Sequence, residues 1–370
     1  MMENNLLNAK KKKFGLYEAA LALILYIVFT NVFSFFWGMV PREFRKAPYA
    51  AYFIAQFVIE MLFAVVAYVV ATTRRVDFVK GIGADKKING NLVLYGVLIS
   101  FICLIFFGKI TDVFMYFLSL LGYVSDSPSI EINNFGIYLI YVLVLCVAPA
   151  IGEEFLFRGA VASGLKEKGM KVALIGSALI FSFMHGTPDQ TIHQFIIGLV
   201  IGYIFLKTGN IWIGVIVHFI NNFTSVTLMY VLSFFDDGSA STEAVSMLPD
   251  GYDWLNLFGD LIYAIVMAVL GYIIIRRIVR KVFAEHQAIN NENVIQESET
   301  IKVDGVEVET TVTIDGETQE NVASEENVAG AQAKKEKELI PLPIAIMFAI
   351  AGAYFAFMWG VSLLVGFGVV

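Results

Sequence analysis

Nine apolar stretches, most of them about 20 residues long and closed by polar breaks, recur along this 370-residue chain. A helix of that length crosses a hydrocarbon core about 30 Å thick. The stretches cover approximately 15–39, 50–72, 92–121, 136–163, 172–186, 192–206, 211–234, 255–275 and 340–367. The expected fold class is all-α: a polytopic membrane helical bundle with about eight core transmembrane helices plus one extra C-terminal helix. Segments five and six are short and joined by Gly186-Thr-Pro-Asp-Gln190, so they are expected to stop below the far surface. The third segment holds Lys109 and Asp112, spaced to pair with each other, and is expected to tilt or break.

The chain is 58% apolar and only 16% charged. Its net charge of -7 is unevenly placed: residues 285–338 carry 14 acidic and 4 basic side chains, a balance of -10, which leaves +3 for the rest. The acidity therefore belongs to a tail, and no basic nucleic-acid footprint follows from the remainder. That tail has no helical apolar period and is expected to be largely disordered, His286 solvated within it. Only the partial alternation of Ile301 to Ile314 could form a small hairpin. Cys103 and Cys146 lie in apolar runs and read as packing residues. The apolar run after Lys10–Lys13 is too long for a cleaved secretory leader and reads as a retained first helix.

Lys10–Lys13, Arg74, Arg75, Lys80, Lys86, Lys87, Lys166, Lys168, Lys171, Lys207, Arg276, Arg277, Arg280 and Lys281 fall on one side if every span crosses. By the positive-inside rule that side, with the N-terminus and the acidic tail, is cytosolic, and a bacterial plasma membrane is the expected location. The chain divides into a basic N-terminus (1–13), a membrane-embedded core (14–275), the acidic tail (276–338) and an additional transmembrane helix (339–370). The core is expected to work in a chain ending near residue 284.

Chemistry concentrates in the second half of the core. The segment Glu153-Glu-Phe-Leu-Phe-Arg158 puts three ionisable groups in one bilayer helix, where such groups are costly and mark function. Glu154 and Arg158 are i,i+4 with the acid first, the favourable order for an ion pair. Glu153 is rotated by about 100° from Glu154 and can face a cavity. His185 ends the fifth span; His218 and Asn222 share a face of the seventh and could direct an N–H pair at one point, as an oxyanion requires. At about 1.5 Å per residue from the nearest lysines, these groups all lie roughly 16–22 Å deep. Glu60 and Gln56 are one turn apart in the second span, Glu60 a structural partner or a cavity-lining group, and His193 is expected near an interface.

Glu-Glu-x-x-x-Arg, then Phe181-x-x-x-His185, then His218-x-x-x-Asn222, on successive membrane helices, resembles the CPBP family of intramembrane proteases, which includes the type II CAAX prenyl endopeptidases and the bacterial Abi proteins. The resemblance covers about residues 135–235 and implies peptide-bond hydrolysis in the membrane. Glu153 with His185 would activate water, His218 and Asn222 would hold the oxyanion, and Glu154 and Arg158 would support the site or contact substrate. No cofactor is favoured. A zinc alternative would use Glu153, His185 and His218 as ligands, but no His-Glu-x-x-His is present. The implied partners are the lipid bilayer and a membrane-bound or lipidated peptide or protein. The rival class is a non-catalytic membrane protein of bacteriocin-immunity type that binds or regulates through the same polar cavity.

Overall fold

The computed structural model describes residues 13–45, 50–125, 132, 134–235, 252–301 and 339–369. The long elements are helices: α1 (Leu16–Met39), α2 (Ala50–Arg74), α3 (Gly90–Leu120), α4 (Phe135–Lys168), α5 (Met170–Met184), α6 (Pro188–Thr208), α7 (Ile211–Leu232), α8 (Trp254–Ile301) and α9 (Leu342–Gly366). Eight are long and apolar enough to cross a membrane, and the chain is an integral membrane protein. The exception is α5, whose 15 residues reach only about 22 Å, short of a hydrocarbon core of about 30 Å. His185 caps its C-terminal end.

Asparagines set several starts: Asn89, Asn134 and Asn210 each accept a backbone N–H of the first turn of α3, α4 and α7. The main core lies where α1, α2, α4 and α5 meet, around Leu23, Phe63, Phe157, Ala160 and Phe181. A second cluster, with Leu92, Ile99, Ile201, Ile204, Ile275 and Val282, joins α3, α6, α7 and α8. Association inside lipid depends on close packing, and small residues supply it. A Cβ on Gly152 would lie 2.2 Å from the Glu60 carbonyl oxygen, so glycine is what lets α4 touch the α2 backbone. At Gly214 of α7 the same atom would lie 2.7 Å from Ile201 and 3.1 Å from a Glu154 carboxylate oxygen.

Several expectations change. α3 is unbroken over its 31 residues, and Lys109 pairs across to Asp260 of α8 at 3.0 Å rather than with Asp112. The contact between helices is available because α8 runs beside α3. α8 continues to Ile301, well past residue 275, so the tail expected from 276 begins as helix. Val279, Val282 and His286 are buried along it, and His286 is not solvated. The possible hairpin after Ile301 lies outside the described residues. Nor is α9 peripheral: it packs on α1 and α5, buries Ala351 and Phe355 in the main core, and accepts a hydrogen bond from Asn31 at Tyr354. Cys103 and Cys146 are buried packing residues, as their apolar settings suggested.

Candidate active site

The two acids sit on a short α-helical stretch, Ala148–Glu154, between two π-helical segments of α4, Val142–Val147 and Phe155–Ala162. Wide π turns inside membrane helices recur at functional sites because they re-aim side chains. Pro149 has no N–H to give the Leu145 carbonyl one turn earlier. Asn222 Nδ2 of α7 donates to that oxygen instead, at 3.0 Å. A break in α4 is thus mended by the neighbouring helix.

Glu154 and Arg158 form the pair their spacing indicated, Nη1 to Oε1 at 3.0 Å, both almost fully buried. The contact is a close ion pair without hydrogen-bond alignment, and the guanidinium carbon lies 4.2 Å from the centroid of the Phe181 ring. His218 Nδ1–H donates to the same Glu154 oxygen at 2.9 Å. His185 Nδ1–H donates to the Phe181 carbonyl at 2.9 Å, one of the acceptors left open where α5 ends. With both Nδ1 atoms engaged as donors, each neutral imidazole keeps its lone pair on Nε2.

Those two lone pairs face one carboxylate oxygen. Glu153 Oε2 is 4.0 Å from His185 Nε2 and 3.8 Å from His218 Nε2, and makes no hydrogen bond of its own. Glu154 is fixed in an ion pair while Glu153 Oε2 turns to the two imidazoles, the division that their 100° offset on a helix of 3.6 residues per turn implies.

The remaining site residues are placed differently from expectation. One N–H of the Asn222 amide serves Leu145, a contact that its shared face with His218 did not suggest, and its oxygen accepts from Asn221 at 3.3 Å. His193 is half-buried, its Nε2 3.1 Å from Asn221 Oδ1. Glu60 is a neighbour of the site: buried on α2, it accepts from Gln56 at 2.7 Å, and its carboxyl reaches that of Glu153. A lone Glu in an apolar span was the signal available for it; its direction towards α4 was not.

The zinc alternative can be tested on the donor set. Tetrahedral zinc with ligands at about 2.0–2.1 Å holds ligand atoms about 3.4 Å apart. The Glu153–His separations of 3.8 and 4.0 Å exceed that, and among the described residues no group of three His, Cys, Asp or Glu is close enough to hold a metal ion.

A family model described as Rce1-like, type II CAAX prenyl endopeptidase Rce1-like, matches residues 135–224. That segment is similar to this family. It runs from the start of α4 into α7 and contains every residue of the constellation except Glu60. No curated protein and no solved structure matches the chain.

Proposed function

We propose that the protein is an intramembrane endopeptidase that hydrolyses a peptide bond of a membrane-bound or lipidated protein, with Glu153 as the base that activates water. The observation that carries this reading is the convergence of Glu153 Oε2 and two imidazole Nε2 atoms within 4.0 Å in a buried site. The Rce1-like match to 135–224 supports the substrate class, a peptide presented at the membrane near its C-terminus.

In the proposed reaction a water held by Glu153 and His185 attacks the scissile carbonyl carbon, and its proton passes to the Glu153–His185 pair. The tetrahedral oxyanion is met by the second N–H of the Asn222 amide and by Nε2–H of His218. His218 serves as an imidazolium that takes its extra proton from solvent before the cycle and keeps it throughout, with the Glu154 carboxylate 2.9 Å from its Nδ1 stabilising that cation. The intermediate collapses with cleavage of the C–N bond, and the stored proton goes to the leaving amine. Arg158 keeps Glu154 in place. In this reading side chains alone activate the water, and no step is routed through a metal.

The test is reconstituted protein against a panel of membrane-anchored and prenylated peptides, read by mass spectrometry of the new termini. Wild type should cleave at a defined bond, and Glu153→Gln should not while retaining the wild-type fold. Wild-type turnover by Glu153→Gln would refute the assignment. Cleavage abolished by chelation and restored by zinc would refute the metal-free step.

A further inference from the structure

A second cavity lies away from the Glu153 site, between α3, α6 and α8. Its volume is about 980 Å³, at the upper end of small-molecule sites, about 300–1,000 Å³. α8 is held to α3 by Gly271, where a Cβ would lie 2.6 Å from Phe106, and by Ile275, Val279 and Val282 in the cluster with Leu92, Ile99 and Ile204. Beyond that seam α6 and α8 part. The walls are apolar, with Phe107, Ile110, Leu199, Val200, Tyr203 and Tyr272 among them. Lys207, Arg276 and Arg280 also line it.

Those three cations are exposed, and none forms an ion pair among the described residues. The nearby acid does not serve them: Glu285 accepts from the side-chain amides of Asn89 and Asn91. Arg276 and Arg280 are one turn apart on α8 and share a face, and Lys207 closes the end of α6. From Tyr272 to Gln287, both on the cavity wall, α8 rises about 22 Å. That exceeds one leaflet's share of a hydrocarbon core of about 30 Å and brings the cavity into the interface. A long apolar slot that also carries three unpaired cations matches an amphiphile whose headgroup is anionic. Basic recesses between membrane helices at the cytoplasmic surface bind such headgroups.

We propose that this cleft is a binding site for an anionic phospholipid, its phosphate held by Lys207, Arg276 and Arg280 and its acyl chains laid between α3, α6 and α8. The site is separate from the peptidase constellation and does not depend on that activity.

The full chain would be purified and reconstituted in nanodiscs of phosphatidylglycerol and phosphatidylcholine in equal parts. It would then be exchanged into delipidating detergent and weighed by native mass spectrometry. Wild type should keep one phosphatidylglycerol per chain, with a preference over phosphatidylcholine of about tenfold, a free-energy difference near 1.4 kcal/mol. Lys207→Gln/Arg276→Gln/Arg280→Gln should erase the preference, and Leu199→Trp, which fills the apolar part, should release both lipids. The proposal fails if wild type holds the two lipids equally, or if the triple variant keeps its preference. It also fails if millimolar inorganic phosphate displaces phosphatidylglycerol, which would make the ligand a free anion, or if a lipid-free dimer covers the cleft. The wild-type comparison of the two lipids stands even if a variant fails to fold.

Discussion

The Glu154–Arg158 pair offers the sharpest test of how this site is held. Both side chains are almost wholly buried, their closest atoms are 3.0 Å apart, and Glu154 Oε1 also accepts from His218. Glu154→Gln keeps an oxygen for His218 but leaves the guanidinium without its anion. Arg158→Met leaves the carboxylate with His218 alone. Removing one partner of a buried pair costs about 3–5 kcal/mol, because the remaining charge stays desolvated. Each single variant should therefore raise the unfolding constant by about two to three and a half decades. The double variant leaves no orphan charge and should lie within about 1–2 kcal/mol of wild type, so the two changes depart from additivity by about 3 kcal/mol or more. Reversible unfolding in mixed micelles, followed by tryptophan fluorescence across the four variants, measures the cycle. If either single change costs under about 1 kcal/mol, or the costs simply add, the pair is solvated and the buried-ion account is wrong.

Four further outcomes are expected. Asn222→Ala should lose stability by about 1–3 kcal/mol as well as activity, because the Leu145 carbonyl beside Pro149 loses its donor; an inactive variant of unchanged stability would leave Asn222 with a purely chemical role. Trp359→Phe should lower activity several-fold: Trp359 Nε1 donates to Thr191 at 2.7 Å and its ring packs on Phe183, which together brace the turn after His185. A chain cut near residue 284, which lacks α9, should be impaired for the same reason, and full activity in that truncation would show that α9 is dispensable. Gly152→Ala should destabilise by about 1–3 kcal/mol through overpacking against the Glu60 carbonyl, measured in the same micelle assay.

Much of the architecture was legible in the sequence because a bilayer demands it. Apolar length alone separated the spans, since hydrocarbon admits only segments that satisfy their own backbone. The Glu154–Arg158 pair was equally legible, because i,i+4 spacing on one helix fixes the contact without help from any neighbour. The order Glu-Glu-x-x-x-Arg, His, His-x-x-x-Asn also sufficed to suggest the family that the match to 135–224 supports.

What the sequence left open depends on which helices touch. Asn222 and His218 share a face of α7, yet one meets Leu145 and the other Glu154, because π turns and Pro149 re-aim the facing helix. Lys109 found Asp260 across the α3–α8 contact, and Glu60 came to Glu153 through a backbone approach that only Gly152 permits. α8 extends beyond its apolar run because Val279, Val282 and His286 find partners on α3 and α6, a stabilisation no local pattern carries. The sequence determined the helices and the local pairs, whose energies depend on residues a turn apart. Tertiary structure decided the contacts between them, whose energies depend on how closely separate helices can approach.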